Sequence, residues 1–205
     1  MLEPTITISE QPSEAPFLPD GVLRASTLVA GGLSRQRIKN LADAGKLQHL
    51  GRGLYSLPEA TVTENHDLAQ VAARVPQGVV CLASALQFHD LTTVSPWRID
   101  LMLPRGARPP RIEHPPLTVT YASNPAYDAG IEEQEIEGVT VKVTSVAKTL
   151  ADCFKYRSKV GLDVALEALK QALAEKRASH ADIRLYASIC RVENVMRPYM
   201  EALAL

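Results

Sequence analysis

The stretch GGLSRQRIKNLADAGKLQHLGRGLYSLP, Gly31 to Pro58, decides the reading of this 205-residue chain. Ser34 stands where a helix N-cap is wanted, because a serine hydroxyl satisfies one of the free amide donors of a first turn. The helix it opens is expected to run to Ala44 and to stop at Gly45, since glycine tolerates the positive φ of a helix end. Upstream, Ser26 is placed to cap a shorter helix that passes through Val29 and ends at Gly31 and Gly32. Downstream, Leu47 and Leu50 lead into Gly51-Arg52-Gly53, and Leu54, Tyr55 and Leu57 return to Pro58. That is the pattern of a small hairpin with a glycine-flanked tip, the flanking glycines letting backbone approach a phosphate closely. Helix, glycine turn, helix and hairpin predict an N-terminal winged helix-turn-helix over residues 21–58.

At about 100° per residue, Ile38, Leu41 and Ala42 fall on one stripe of the second helix and face its own small core. Gln36 and Asn40 occupy the centre of the opposite face, with Lys39 and Asp43 beside them, while Arg35 and Arg37 border the stripe. Amides can bond adenine bidentately in a major groove, and flanking cations reach phosphates or guanine. Arg35 and Arg37 also sit in the first turn, where the helix dipole disfavours cations. A phosphate arriving there would reverse the sign of that interaction. The expected DNA-facing set is Ser34, Arg35, Gln36, Arg37, Lys39, Asn40, Lys46, Arg52 and Gly53. The Tyr55 ring is expected to pack the wing onto the core.

Charge is segregated along the chain. The whole carries 22 Lys plus Arg against 23 Asp plus Glu, a formal net of -1. Residues 1–20 hold Glu3, Glu10, Glu14 and Asp20 without a base, and their four prolines predict a flexible acidic tail. Residues 21–57 then hold six bases against Asp43 alone, the footprint of a polyanion site. A second basic patch, Arg98, Arg105, Arg108 and Arg111, lies on or beside the turn PRGARPPR; it could touch DNA or an acidic partner, or remain a solvated loop.

Glu59 to Glu64 reads as a linker, and residues 64–205 as a second, α+β domain. Its helical patterns are Leu68 to Val75, ended by Pro76, and Leu82 to Phe88. Three half-buried strands follow, around Ile99–Leu103, Val119–Tyr121 and Val139–Val143, where apolar residues alternate. After Ser145 the period returns to that of helices, with Val146 to Phe154, Leu162 to Leu173, and a last run of Ile183, Tyr186, Ile189, Met196 and Tyr199. The fold class is thus α+β, with a winged helix-turn-helix ahead of a mixed domain holding a small sheet and long C-terminal helices.

Enzyme chemistry finds little support. Asp100 is on a predicted strand, but no E-x-K or D-x-K follows, and the spacing of Glu137 and Lys142 puts them on opposite faces of a strand. The five histidines lack metal-ligand spacing, and His89-Asp90 reads as a helix cap. Neither G-x-S-x-G nor a phosphate-binding loop occurs. No catalysis, metal or cofactor is expected. Cys81, Cys153 and Cys190 read as buried thiols in a reducing compartment. The first base is Arg24, and no apolar run approaches roughly 18 residues, so neither signal peptide nor membrane span is expected and the protein is placed in the cytoplasm.

The segment Gly31 to Pro58 resembles the winged-helix domain of AbiEi-family antitoxins of bacterial type IV, or abortive-infection, toxin-antitoxin systems. A small-residue turn precedes a basic helix, a G-K-L junction and a G-R-G-x-Y wing. The likeness continues in SPWRIDLMLP and in SVAKTLADCFKYRSKVGLDVALEALKQAL, Ser145 to Leu173. It implies a DNA-binding repressor of its own operon whose C-terminal domain counteracts a co-encoded nucleotidyltransferase-like toxin. The implied partners are double-stranded operator DNA and that toxin, with no membrane. The alternative is a stand-alone regulator whose C-terminal domain senses a ligand or dimerises.

Overall fold

The computed structural model describes Leu18 and residues 20–203. The acidic tail expected over residues 1–20 therefore lies outside the described residues, apart from Leu18 and Asp20. Strand β1 (Leu23–Arg24) runs straight into helix α1 (Ala25–Ala30), followed by α2 (Arg35–Asp43), β2 (Gln48–Gly51) and β3 (Leu54–Ser56). The strands make an antiparallel sheet in the order β1-β3-β2.

Helix α1 starts earlier than the Ser26 cap predicts. Leu23 and Arg24 pair with Tyr55 and Leu54, and the Ala25 amide donates to the Gly53 carbonyl at 2.9 Å. Sheet pairing thus carries the backbone to Arg24, which becomes the N-cap residue without a side-chain cap, and Ser26 falls inside the first turn. The helix closes as expected at the glycines. Gly32 takes φ +98°, the Leu33 amide reaches back to Leu28 O at 3.0 Å, and Leu33 packs on the same small core. The end of α2 repeats the device, with Gly45 at φ +69° and Lys46 N bonded to Leu41 O at 2.8 Å. Leu23, Leu28, Ile38, Leu41 and Leu47 form the buried centre of this unit, and Tyr55 packs against it as predicted.

The rest is a five-stranded mixed sheet with helices on both faces, so the architecture is α+β. Helix α3 (His66–Arg74) precedes β4 (Val79–Val80), α4 (Leu82–Phe88), β5 (Ile99–Pro104), β6 (Leu117–Ala122), β7 (Ile131–Ile136) and β8 (Val139–Thr144). Five helices follow: α5 (Val146–Lys155), α6 (Arg157–Val160), α7 (Leu162–Ala174), α8 (His180–Ile189) and α9 (Glu193–Leu203). The strand order is β6-β5-β4-β8-β7, antiparallel at β4-β5 and β7-β8 and parallel at β4-β8 and β5-β6. On one face Leu101, Leu103, Val141 and Val143 meet Leu68, Val71 and Ala72 of α3. On the other, Val79 and Met102 lie under Leu150, Phe154, Leu169, Ile183 and Met196. The predicted strands are β5, β6 and β8; β4 and β7 are additional. The last predicted run is two helices, because the chain turns at Arg191, which takes φ +59°. No helix among the described residues is long and apolar enough to cross a membrane.

Glu59 to Glu64 is not a free linker. Val22 and Leu54 of the N-terminal unit share a buried cluster with α3 and β8. Glu137, in the turn between β7 and β8 rather than on a strand, fastens the joint. Its carbonyl accepts from Val22 N at 2.8 Å, and its carboxylate accepts from Thr63 N at 2.8 Å and Thr63 Oγ1 at 2.9 Å. His66 Nδ1 completes the set at 2.6 Å. Burial pushes the Glu137 carboxyl up, but these donors outweigh it and leave it below the ordinary carboxylate range. Lys142 faces Glu133 instead, at 3.9 Å.

Candidate nucleic-acid interface

Helix α2 presents the face the sequence predicts. Ile38 and Leu41 are 2% and 9% exposed, whereas Arg35, Gln36, Arg37, Lys39 and Asn40 are all exposed. Gln36 Nε2 donates to Asn40 Oδ1 at 2.9 Å, one turn along, so the two amides are held side by side at the surface. Ser34 is the N-cap, its Oγ accepting from Arg37 N at 3.1 Å. Its hydroxyl therefore has a structural partner. The first turn of α2 holds no acid, and Arg35 opens it at the end where the helix dipole disfavours a cation.

Lys46 is exposed just past the end of α2, and Arg52 is exposed in the two-residue turn between β2 and β3. The two glycines flanking Arg52 differ in what they do. Gly53 has φ +72° and open space where a Cβ would stand, which leaves its backbone approachable. Gly51 faces inward, where a Cβ would lie 2.4 Å from Arg74 Nη2. Its small size therefore serves packing rather than ligand approach. The Tyr55 ring stands edge-on to His49 with centroids 5.3 Å apart.

The second basic patch divides. Arg98 precedes β5, while Arg105, Arg108 and Arg111 follow it, and six strand residues separate the two ends by about 20 Å. Arg98 lies over the exposed Trp97 ring, its guanidinium carbon 3.9 Å from the centroid. Arg111 instead borders a cleft of about 400 Å³ shared with Arg52, Gly53, Arg24 and Arg74. Arg24 and Arg74 were not among the residues singled out from sequence. Arg74 closes a helical pattern at Val71 and Val75, so only its late position in α3 hinted at anything beyond a solvated helix end.

Elsewhere several buried titratable groups have structural partners. Burial raises the Asp100 carboxyl above its ordinary range, partly offset by the Ser84 and Ala83 amides at the start of α4. That is a capping arrangement. His89, as predicted, ends its helix; its Nε2 donates to Thr144 O at 2.7 Å. Lys148 and Asp152 form a buried ion pair on α5, with Cys190 Sγ donating to Asp152 Oδ1 at 3.3 Å. Sequence reading missed this pair, although its i,i+4 spacing inside an apolar helix was visible. All three cysteines are free and buried. Burial pushes the Cys190 thiol up to about 12, and those of Cys81 and Cys153 well above their usual range, the opposite of nucleophile activation. Among the described residues, no group of three or more His, Cys, Asp or Glu could hold a metal ion.

Comparison with known proteins bears on the fold alone. No family model and no curated protein matches the chain. A crystal structure of the Rv2827c protein from Mycobacterium tuberculosis is similar over 82% of this chain, with a TM-score of 0.57 and 18% identity. The chain spans 66% of that protein's length.

Proposed function

We propose that residues 21–58 are a winged helix-turn-helix that docks α2 in the major groove of duplex DNA, and that the chain represses its own operon as an AbiEi-like antitoxin. The observation that carries the DNA reading is the exposed Gln36–Asn40 amide pair, flanked by Arg35, Arg37 and Lys39 on a helix with no acid in its first turn. The amides supply hydrogen bonds for adenine edges, and the cations, with Lys46 and Arg52, release counterions from the phosphates. No bond is made or broken in this step. The buried thiols of the larger unit, and the Asp152 carboxylate paired with Lys148, favour a binding role for it over catalysis. Its assignment to neutralising a co-encoded nucleotidyltransferase-like toxin rests on the sequence resemblance at Ser145 to Leu173.

A gel-shift series with the DNA upstream of the gene tests the first half. R35A/R37A should weaken binding to every sequence and flatten the salt dependence; unchanged affinity and slope would remove α2 from the interface. Co-expression with the adjacent gene tests the second. Toxicity relieved by this chain supports the antitoxin, and toxicity left untouched leaves a stand-alone regulator.

A further inference from the structure

We infer that the cleft between the β2-β3 turn and the loop after β5 is a second phosphate site, through which the larger unit grips the duplex backbone beyond the wing. The inference rests on the reading of residues 21–58 as the DNA-binding unit. Four arginines, Arg24, Arg52, Arg74 and Arg111, line this cleft, and among the described residues no Asp or Glu does. The contrast with the neighbouring groove is direct, since there Asp20 and Glu133 accompany Arg24 and Lys142. One-signed charge around a concavity focuses potential on an anion.

The cleft is also held in shape. Arg74 donates to the carbonyls of His114 at 2.6 Å and Leu50 at 2.8 Å, and to Gln70 Oε1 at 3.1 Å. It thereby ties α3, β2 and the loop ahead of β6 together with neutral acceptors that leave its charge in place. Burial lowers its pKa from the ordinary arginine value, with Asp67 opposing. Arg24 Nη2 is fixed on Ala72 O at 3.2 Å. On the far wall, Ala107 and Ile112 of the loop pack against the buried cluster of α3 and β8, and Pro109 and Pro110 restrict the backbone leading to Arg111. Arg111 is thus an exposed cation on an anchored loop, facing the same space as the wing-tip Arg52. A duplex seated on α2 and touched by Arg52 would continue past that tip, and its next phosphates are the anions within reach.

Two sources share this chemistry, the phosphodiester of the duplex and free phosphate. The experiment compares wild type, R111A, R35A and the charge-matched control K170A, which removes an exposed cation from α7. Full-length protein is titrated against the upstream duplex across a salt series, with far-UV circular dichroism melts verifying that each variant folds. R111A should flatten the slope of log K against log[salt] by about 0.9, equivalent to one lost phosphate contact. K170A should match wild type. Removing the duplex segment on the wing side should abolish the difference between R111A and wild type. R111A indistinguishable from wild type while R35A loses slope would overturn the cleft and leave the α2 reading standing. Loss in neither variant would overturn both. Inorganic phosphate, added at constant ionic strength, should compete no better against wild type than against R111A. Selective competition against wild type would assign the cleft to a free anion and overturn the duplex contact.

Discussion

Arg35 separates what α2 does for stability from what it does for binding, and Arg35→Glu moves the two in opposite directions. Arg35 is the first helical residue, exposed, with no acid in the turn around it. A cation there costs about 0.3–1 kcal/mol, and a carboxylate gains a similar amount. Exposure keeps both steps near the lower end, so R35E should stabilise the protein by about 0.6–1 kcal/mol, or raise Tm by about 1–4 °C for a chain of this size. Binding should respond the other way. Losing one phosphate contact reduces the salt slope by about 0.9, which at 0.1 M salt is about an eight-fold loss of affinity relative to a 1 M reference, before the repulsion of the new carboxylate is counted. Thermal melts and fluorescence anisotropy with labelled operator measure the two sides. A variant that gains stability and keeps its affinity would show that Arg35 touches no phosphate. One that loses both would show that the arginine serves the fold, contrary to the reasoning from the dipole.

Further expectations concern specificity, core and pH. Gln36→Ala or Asn40→Ala should relax discrimination between operator and mismatched duplexes by about 1–3 kcal/mol per amide lost, with little change in salt slope, as read by competition against base-substituted operators. Asp152→Ala leaves the Lys148 ammonium buried and unpaired and should cost about 3–5 kcal/mol in urea unfolding, whereas the double replacement K148M/D152L should be near neutral. Glu137 is held below its ordinary pKa in the folded chain, so its contribution is complete above the unfolded value near about 4.3 and fades as pH falls through the folded value. Urea midpoints at pH 6 and pH 3.5 should therefore differ less in E137Q than in wild type, and an identical pH dependence would exclude the clasp.

The N-terminal unit was legible because its punctuation is glycine. Gly32 and Gly45 mark two helix ends by the positive φ that glycine favours, and Ser34 marks a start by its side chain. Where the same geometry is taken by other residues, the signal fades. Arg191 closes α8 at φ +59° with Val192 N bonded to Ala187 O at 2.8 Å, and nothing in the residue type announces it. The β7-β8 turn uses Glu137 and Gly138 at φ +49° and +73°, where asparagine or aspartate before glycine is the familiar sign. Strand β7 itself, IEEQEI, keeps apolar residues only at its ends because it is an exposed sheet edge, and charge on such an edge discourages further pairing. The site shows the same division. Residues that share one helix face, Gln36 and Asn40, follow from periodicity alone. Arg24, Arg74 and Arg111 come together only through the docking of two units, with Val22 and Leu54 buried against α3, and no spacing in the chain encodes that meeting.

Whether a duplex neutralises the cations of α2 and the wing is the central question. Equilibrium binding of the full chain to the upstream duplex, followed from 50 to 300 mM salt, reads this directly. With Arg35, Arg37, Lys39, Lys46 and Arg52 each meeting a phosphate, log K should fall against log[salt] with a slope near about -4.5, steeper still if Arg111 joins them. A slope near zero, or no binding at the lowest salt, would contradict it.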